Sequence, residues 1–261
     1  MTAAPPLPGL VPDWPVPERV RAFVTTRAGG VSTGAFGLDG GAPGGLNLGD
    51  HVGDDPAAVA ENRARLRAMV PGEIRWLQQV HGTAVHDADG QAHRDVPPVA
   101  DAAVSTRTGT VLAVMTADCL PILLADAGGR AVGVAHAGWR GLAAGVAEAT
   151  VDALRARLGR DARLVAWLGP AIGPAAFEVG DEVRAAFCAA DPAAASAFTP
   201  GVARGKWWAD LHALARARLA ARGVLDVHGT GPCTVADRAR FYSHRRDRRG
   251  GRFASLVWLS D

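Results

Sequence analysis

The sequence predicts an α+β domain in which mixed β-sheets are flanked by helices. Short apolar runs of strand length crowd the first half of the chain and return at its C-terminus. Segments with helical spacing separate them irregularly, so the βαβ alternation of a doubly wound fold is missing. The 261 residues, 48% apolar and 21% charged, suffice for a substantial core, and no repeat or linker divides them. A single domain is therefore expected over 20–261, behind a Pro-rich N-terminal extension over 1–19.

The elements follow in order. Residues 20–26 alternate enough for a strand, and 27–49 are Gly-rich without periodicity, a long loop of the kind kept for function. Asp55-Pro56 is an N-cap followed by proline at the first helical position, opening a helix to about Met69. Strands are expected at 74–80, 84–87, 110–116, 122–125 and 131–135, then a helix over 142–158 stopped by Gly159. A strand at 164–168 runs into the rigid loop Gly169-Pro170-Ala171-Ile172-Gly173-Pro174. Helices at 178–190 and 208–222 and strands at 224–228 and 253–259 complete the chain.

Composition excludes several classes of function. A formal charge of +2 argues against a dedicated nucleic-acid surface. No run approaches 18 apolar residues, so no membrane span is expected, and the N-terminus lacks the pattern of a signal peptide. Three cysteines, Cys119, Cys188 and Cys233, are too sparse for a disulfide framework and fit a reducing, cytoplasmic setting.

His81, Cys119 and His136 each stand where an apolar strand meets a Gly or Pro turn, positions that can converge at one rim of a sheet. One thiolate and two imidazoles suit zinc, and three protein ligands leave a fourth position open for catalysis. Their separations of 38 and 17 positions match no short metal motif, and a cysteine after an apolar strand equally suits a packing position.

Longer strings narrow the choice. Gln79-Val80-His81-Gly82, Thr116-Ala117-Asp118-Cys119-Leu120-Pro121 and Ala135-His136-Ala137-Gly138-Trp139-Arg140-Gly141 together resemble the YfiH family, also called the laccase-domain or polyphenol-oxidase family. Thr26-Arg27-Ala28-Gly29-Gly30-Val31-Ser32, Leu46-Asn47-Leu48-Gly49, Val52-Gly53-Asp54-Asp55-Pro56, the Gly169–Pro174 loop and Phe241-Tyr242-Ser243-His244-Arg245-Arg246-Asp247 extend the resemblance in order to the C-terminus. The resemblance implies one YfiH-like domain and a zinc site, also catalytic, at His81, Cys119 and His136. It implies phosphorolysis of adenosine, inosine, guanosine and 5′-methylthioadenosine, with adenosine deamination as a second activity.

Deamination would use water activated by the metal to attack C6 of adenine. Phosphorolysis needs phosphate delivered to C1′ by an arginine. Arg27, beside Gly29-Gly30, is the first phosphate candidate, with Arg140 and Arg245 behind it. Asn47 and His51 are candidates to orient ribose or relay a proton, and Asp118 to hold a ligand imidazole or act as acid/base. His86, His93, His212 and His228 lack comparable surroundings.

Rivals are a copper polyphenol oxidase, a metal-free thiol hydrolase with Cys119 as nucleophile, an editing enzyme for peptidoglycan precursors, and a non-catalytic anion binder. A trinuclear copper cluster uses His-x-His pairs, and none occurs among the eight histidines. A blue-copper centre would need an axial methionine, for which Met115 stands nearby in sequence.

Overall fold

A computed structural model describes residues 7–90 and 96–261; His93 and the first six residues of the N-terminal extension lie outside the described residues. The chain forms two large sheets stacked face to face with helices on their outer faces, an α+β domain. One sheet has five strands in the order Gly9–Leu10, Val20–Thr25, Phe253–Leu259, Val111–Thr116 and Ile74–Arg75. The other has six, in the order Asp226–His228, Leu164–Leu168, Leu120–Asp126, Val132–Ala137, Ala102–Ser105 and Val85–Asp87. Most pairings are antiparallel, with parallel pairs at three edges, so both sheets are mixed.

Both faces of each central strand are covered, which explains why the sequence shows apolar runs rather than alternation. Leu112 and Val114 point between the sheets, while Val111, Ala113 and Met115 point outward to Leu66 on the helix Pro56–Arg67. Leu123 and Ala125 join the same inner layer; Leu120, Ile122 and Leu124 meet the helices Val146–Leu158 and Leu211–Ala221. Leu10, Trp14 and Val16 of the predicted extension pack onto the inner layer, and Gly9–Leu10 lies antiparallel to Val20–Thr25 as an edge strand.

Several elements differ from expectation for local reasons. The helix expected over 142–158 is two helices, Trp139–Ala144 and Val146–Leu158, because Gly145 adopts φ 103° and ends the first one. The segment 178–190 opens as the strand Glu178–Gly180 before the helix Asp181–Cys188, and 208–222 opens within the strand Lys206–Ala209. There Asp210 caps the following helix by accepting from the Ala213 N–H at 3.0 Å. The strand expected at 74–80 shrinks to Ile74–Arg75, since the Gln79 side chain takes over pairing with the N–H and C=O of Met115, both at 2.8 Å. Within 27–49 lies the strand Ala28–Ser32 followed by two 3₁₀ turns, so this segment is more ordered than a loop.

Two consecutive strands decide where chemistry can occur. Val111–Thr116 belongs to the first sheet and Leu120–Asp126 to the second, so Ala117-Asp118-Cys119 carries the chain across the sandwich end. Asp118 makes this corner at φ 90°, a region that Asp tolerates better than most residues.

Gly145→Ala places a Cβ in ordinary contact with the Glu148 carboxylate, 3.6 Å from Oε2, but at a left-handed φ. The expected cost is about 1–2 kcal/mol of stability, measured by denaturant unfolding.

Candidate metal centre

Cys119 leaves the corner at the start of Leu120–Asp126, and His136 stands opposite Pro121 on the neighbouring strand Val132–Ala137. His81 comes from the loop after Ile74–Arg75 and sits at φ 61°. One donor atom from each of the three lies within 4.8 Å of the others, and Cys119 Sγ is 3.7 Å from His81 Nε2. That spacing matches the ligand–ligand edge of roughly 3.5 Å in a tetrahedral zinc site with nitrogen and sulfur donors. The two imidazole rings meet edge to face, with centroids 4.7 Å apart. Gly138 closes the cradle: a Cβ there would stand 2.7 Å from His81 Cδ2 and 2.9 Å from Cys119 Sγ. Among the described residues this is the one group of three or more His, Cys, Asp or Glu side chains placed to share an ion.

Asp101 assembles the centre. Its wholly buried carboxylate accepts from the backbone N–H groups of Val80 at 3.1 Å, His81 at 2.9 Å and Gly82 at 2.7 Å. The same carboxylate lies 2.8 Å from His136 Nδ1, and the Asp101 carbonyl accepts from the His136 N–H at 2.7 Å. A carboxylate on Nδ1 fixes the proton there and leaves Nε2 free as the ligand atom.

The electrostatics agree with a ligand set. Burial alone would raise the Cys119 thiol, but the imidazoles of His136 and His81 pull it down to about 6. Burial would likewise lower His136, but the Cys119 thiolate and Asp101 raise it to about 9. Burial pushes Asp101 up, and the hydrogen bonds from His136 and the loop amides more than offset it, leaving this carboxyl below 3.8.

The three donors open onto a cleft of about 750 Å³ whose walls carry His51, Arg63, Trp76, Arg140, His244 and Arg252. Of the substrate candidates named from sequence, His51 and Arg140 line this cleft. Four others are redirected. Arg27 is buried, stacks on Tyr242, and spends its guanidinium on the carbonyls of Gly37 and Arg238. Arg245 donates its side chain to the carbonyls of Ala176 and Glu178. Asn47 is buried and holds the backbone of Gly49 and Arg252 together with Asp54. Asp118 accepts from Thr234 Oγ1 and the Arg245 N–H, each at 2.6 Å, pinning the corner rather than an imidazole. His212 bonds the Gly169 carbonyl and His228 pairs with Asp226, both away from the cleft lining.

Sequence reasoning missed Asp101, Arg63, Arg252 and His244. Asp101 stands before the all-buried strand Ala102–Ser105, and an acid abutting such a run was the available signal. Arg63 shares its helix with Arg65 and Arg67, and only packing against Trp76 distinguishes it.

Asp101→Asn is expected to weaken metal binding by about 10- to 100-fold, read by competition with a chromogenic chelator. Because the folded pKa of Asp101 is depressed, its stabilising contribution is complete above the ordinary carboxyl value of 3.8 and is lost as pH falls through the lower folded value. Acid unfolding of metal-free protein should therefore steepen below 3.8 in wild type and lose that component in Asp101→Asn.

Comparison with known proteins places this architecture. A family model described as "Multi-copper polyphenol oxidoreductase laccase" matches residues 21–260. A Pseudomonas aeruginosa protein named purine nucleoside phosphorylase PA4543 is 56% identical over 252 residues, covering 97% of this chain and 98% of its own. Escherichia coli purine nucleoside phosphorylase YfiH is 47% identical over 253 residues, covering 96% of this chain and 98% of its own. The crystal structure of Neisseria meningitidis protein NMB0706 superposes with a TM-score of 0.89 at 47% identity, over 97% of this chain and 99% of that one. With its fold and its His-Cys-His cluster in that company, the chain belongs to the YfiH-like, laccase-domain family.

Proposed function

We propose that this protein is a zinc-dependent purine nucleoside phosphorylase that accepts adenosine, inosine, guanosine and 5′-methylthioadenosine and also deaminates adenosine. The single observation that carries this is the thiolate and two imidazoles at the floor of a cleft of about 750 Å³, a volume that admits a nucleoside and an oxyanion together. The near full-length relatives named as purine nucleoside phosphorylases support the same activity.

Zinc held by His81, Cys119 and His136 would supply a Lewis acid and lower the pKa of a bound water. The chain's own residues do the rest. Asp101 keeps His136 Nε2 and the His81 loop aimed at the centre. Trp76, half-buried in the cleft wall, offers an aromatic face of the kind a purine ring stacks on. His51 and His244 line the cleft as imidazoles that can donate or accept a hydrogen bond. Arg63, Arg140 and Arg252 make its walls cationic, which favours an anionic co-substrate. Among the described residues no helix is long and apolar enough to cross a membrane. All three cysteines are free, as suits the reducing cytoplasm proposed for it.

The family description gives copper oxidation a claim as the second reading. A single cluster with one cysteine and two histidines fits one metal ion better than several coppers.

The test is a metal analysis of purified protein, followed by assays on adenosine, inosine and methylthioadenosine with and without phosphate. Bound zinc and phosphate-dependent release of base are expected. Cys119→Ala should lose metal and activity together. Phosphorolysis retained in zinc-free Cys119→Ala removes the metal from the reaction, and an intense blue thiolate–copper band in the purified protein overturns the zinc assignment.

A further inference from the structure

The segment Leu46-Asn47-Leu48-Gly49 brings together two arginines from opposite ends of the chain. Arg63, on the helix Pro56–Arg67, donates Nε to the Leu48 carbonyl at 2.9 Å and lies over the Trp76 ring at 4.7 Å. Arg252, just before the strand Phe253–Leu259, donates its backbone N–H to Asn47 Oδ1 at 2.9 Å, and its carbonyl accepts from the Leu48 N–H at 3.0 Å. Gly49 leaves room for this side chain, since a Cβ there would stand 2.9 Å from Arg252 Cγ. The next turn steadies the guanidinium, with Arg252 Nη1 donating to the carbonyls of Gly250 and Gly251, both at 3.1 Å.

Both side chains line the cleft that holds His81, Cys119 and His136. Each retains donors with no protein partner among the described residues: Nη1 of Arg63, and Nε and Nη2 of Arg252. Burial pushes both guanidinium pKa values down, against the pull of Asp50 on Arg63 and of Cys119 and Asp118 on Arg252. Two desolvated, oriented guanidinium groups with unspent N–H bonds form a fork for a tetrahedral oxyanion. Arg140 differs, being exposed and stacked on Trp139, with no hydrogen bond to orient it among the described residues. Asp50 contests the fork, reaching Arg63 Nη2 at 3.1 Å from a half-exposed position.

We propose that Arg63 and Arg252 form the oxyanion subsite of the cleft, that it takes inorganic phosphate, and that Asp50 occupies Arg63 until phosphate displaces it. The choice of phosphate as the ligand rests on the phosphorolysis proposed above. The subsite lies with the metal ligands in one cleft, so an anion bound there shares the space open to the nucleoside.

The test is calorimetric titration of inorganic phosphate into the metal-loaded protein at low ionic strength, with metal content measured for every variant. Arg63→Gln and Arg252→Gln should each weaken phosphate binding about tenfold or more. Arg63→Lys and Arg252→Lys keep a charge but lose the fork and should fall between. Asp50→Asn should bind phosphate more tightly than wild type. Wild-type affinity in metal-replete Gln variants overturns the subsite, as does a wild-type protein that does not bind phosphate. If the Gln variants do not fold, unchanged affinity in both Lys variants overturns it as well. Absence of phosphorolysis in wild type, with phosphate binding still dependent on the two arginines, would discard the activity and keep the subsite.

Discussion

The carboxylate of Asp101 gathers four hydrogen bonds, one from His136 Nδ1 and three from consecutive loop amides at Val80, His81 and Gly82. An ionised carboxyl without exposed surface costs several kcal/mol unless its lone pairs are filled. Here the filling is done by the groups that must be held still. The amides keep His81 at its left-handed φ of 61°, a conformation unfavourable for a residue with a Cβ. The imidazole bond sets which nitrogen of His136 faces Cys119. One buried charge thus fixes two of the three candidate ligands, and the strand pairing of Ala102–Ser105 with Val132–Ala137 brings it into register with them.

The third ligand depends on the sandwich. Cys119 lies on the crossing between sheets, and both flanking strands are buried along their full length, so the corner has little freedom to shift. The tight approach of Gly138 to His81 and Cys119, and of Gly141 to the Gly82 carbonyl, then seats the turn Gly138–Gly141 against the centre. Preorganisation of this kind aims the three donors at one point.

Arginine performs two jobs in this protein. Arg27, Arg216, Arg245 and Arg246 are spent on backbone carbonyls and hold loops together. Arg63 and Arg252 satisfy a few carbonyls and keep donors turned to the cleft. A net charge of only +2 conceals this division, because the cationic wall is local.

The sequence by itself determined the strands with continuous or nearly continuous apolar runs, such as Leu164–Leu168 and Phe253–Leu259, since burial on both faces leaves a local mark. It also marked His81, Cys119 and His136, each at the border between an apolar run and a turn. It determined less where two elements share one periodic stretch: at Gly145 the break is a backbone angle, and before Asp210 a strand hides inside helical spacing. Only the tertiary structure decided what surrounds the three donors. Asp101 meets His136 through strand pairing, and Arg252 meets Arg63 through the clamp at Asn47-Leu48-Gly49. Hydrogen bonds between residues remote in sequence leave no periodicity, so an arginine that seals a loop and one that faces a ligand look the same until the chain is folded.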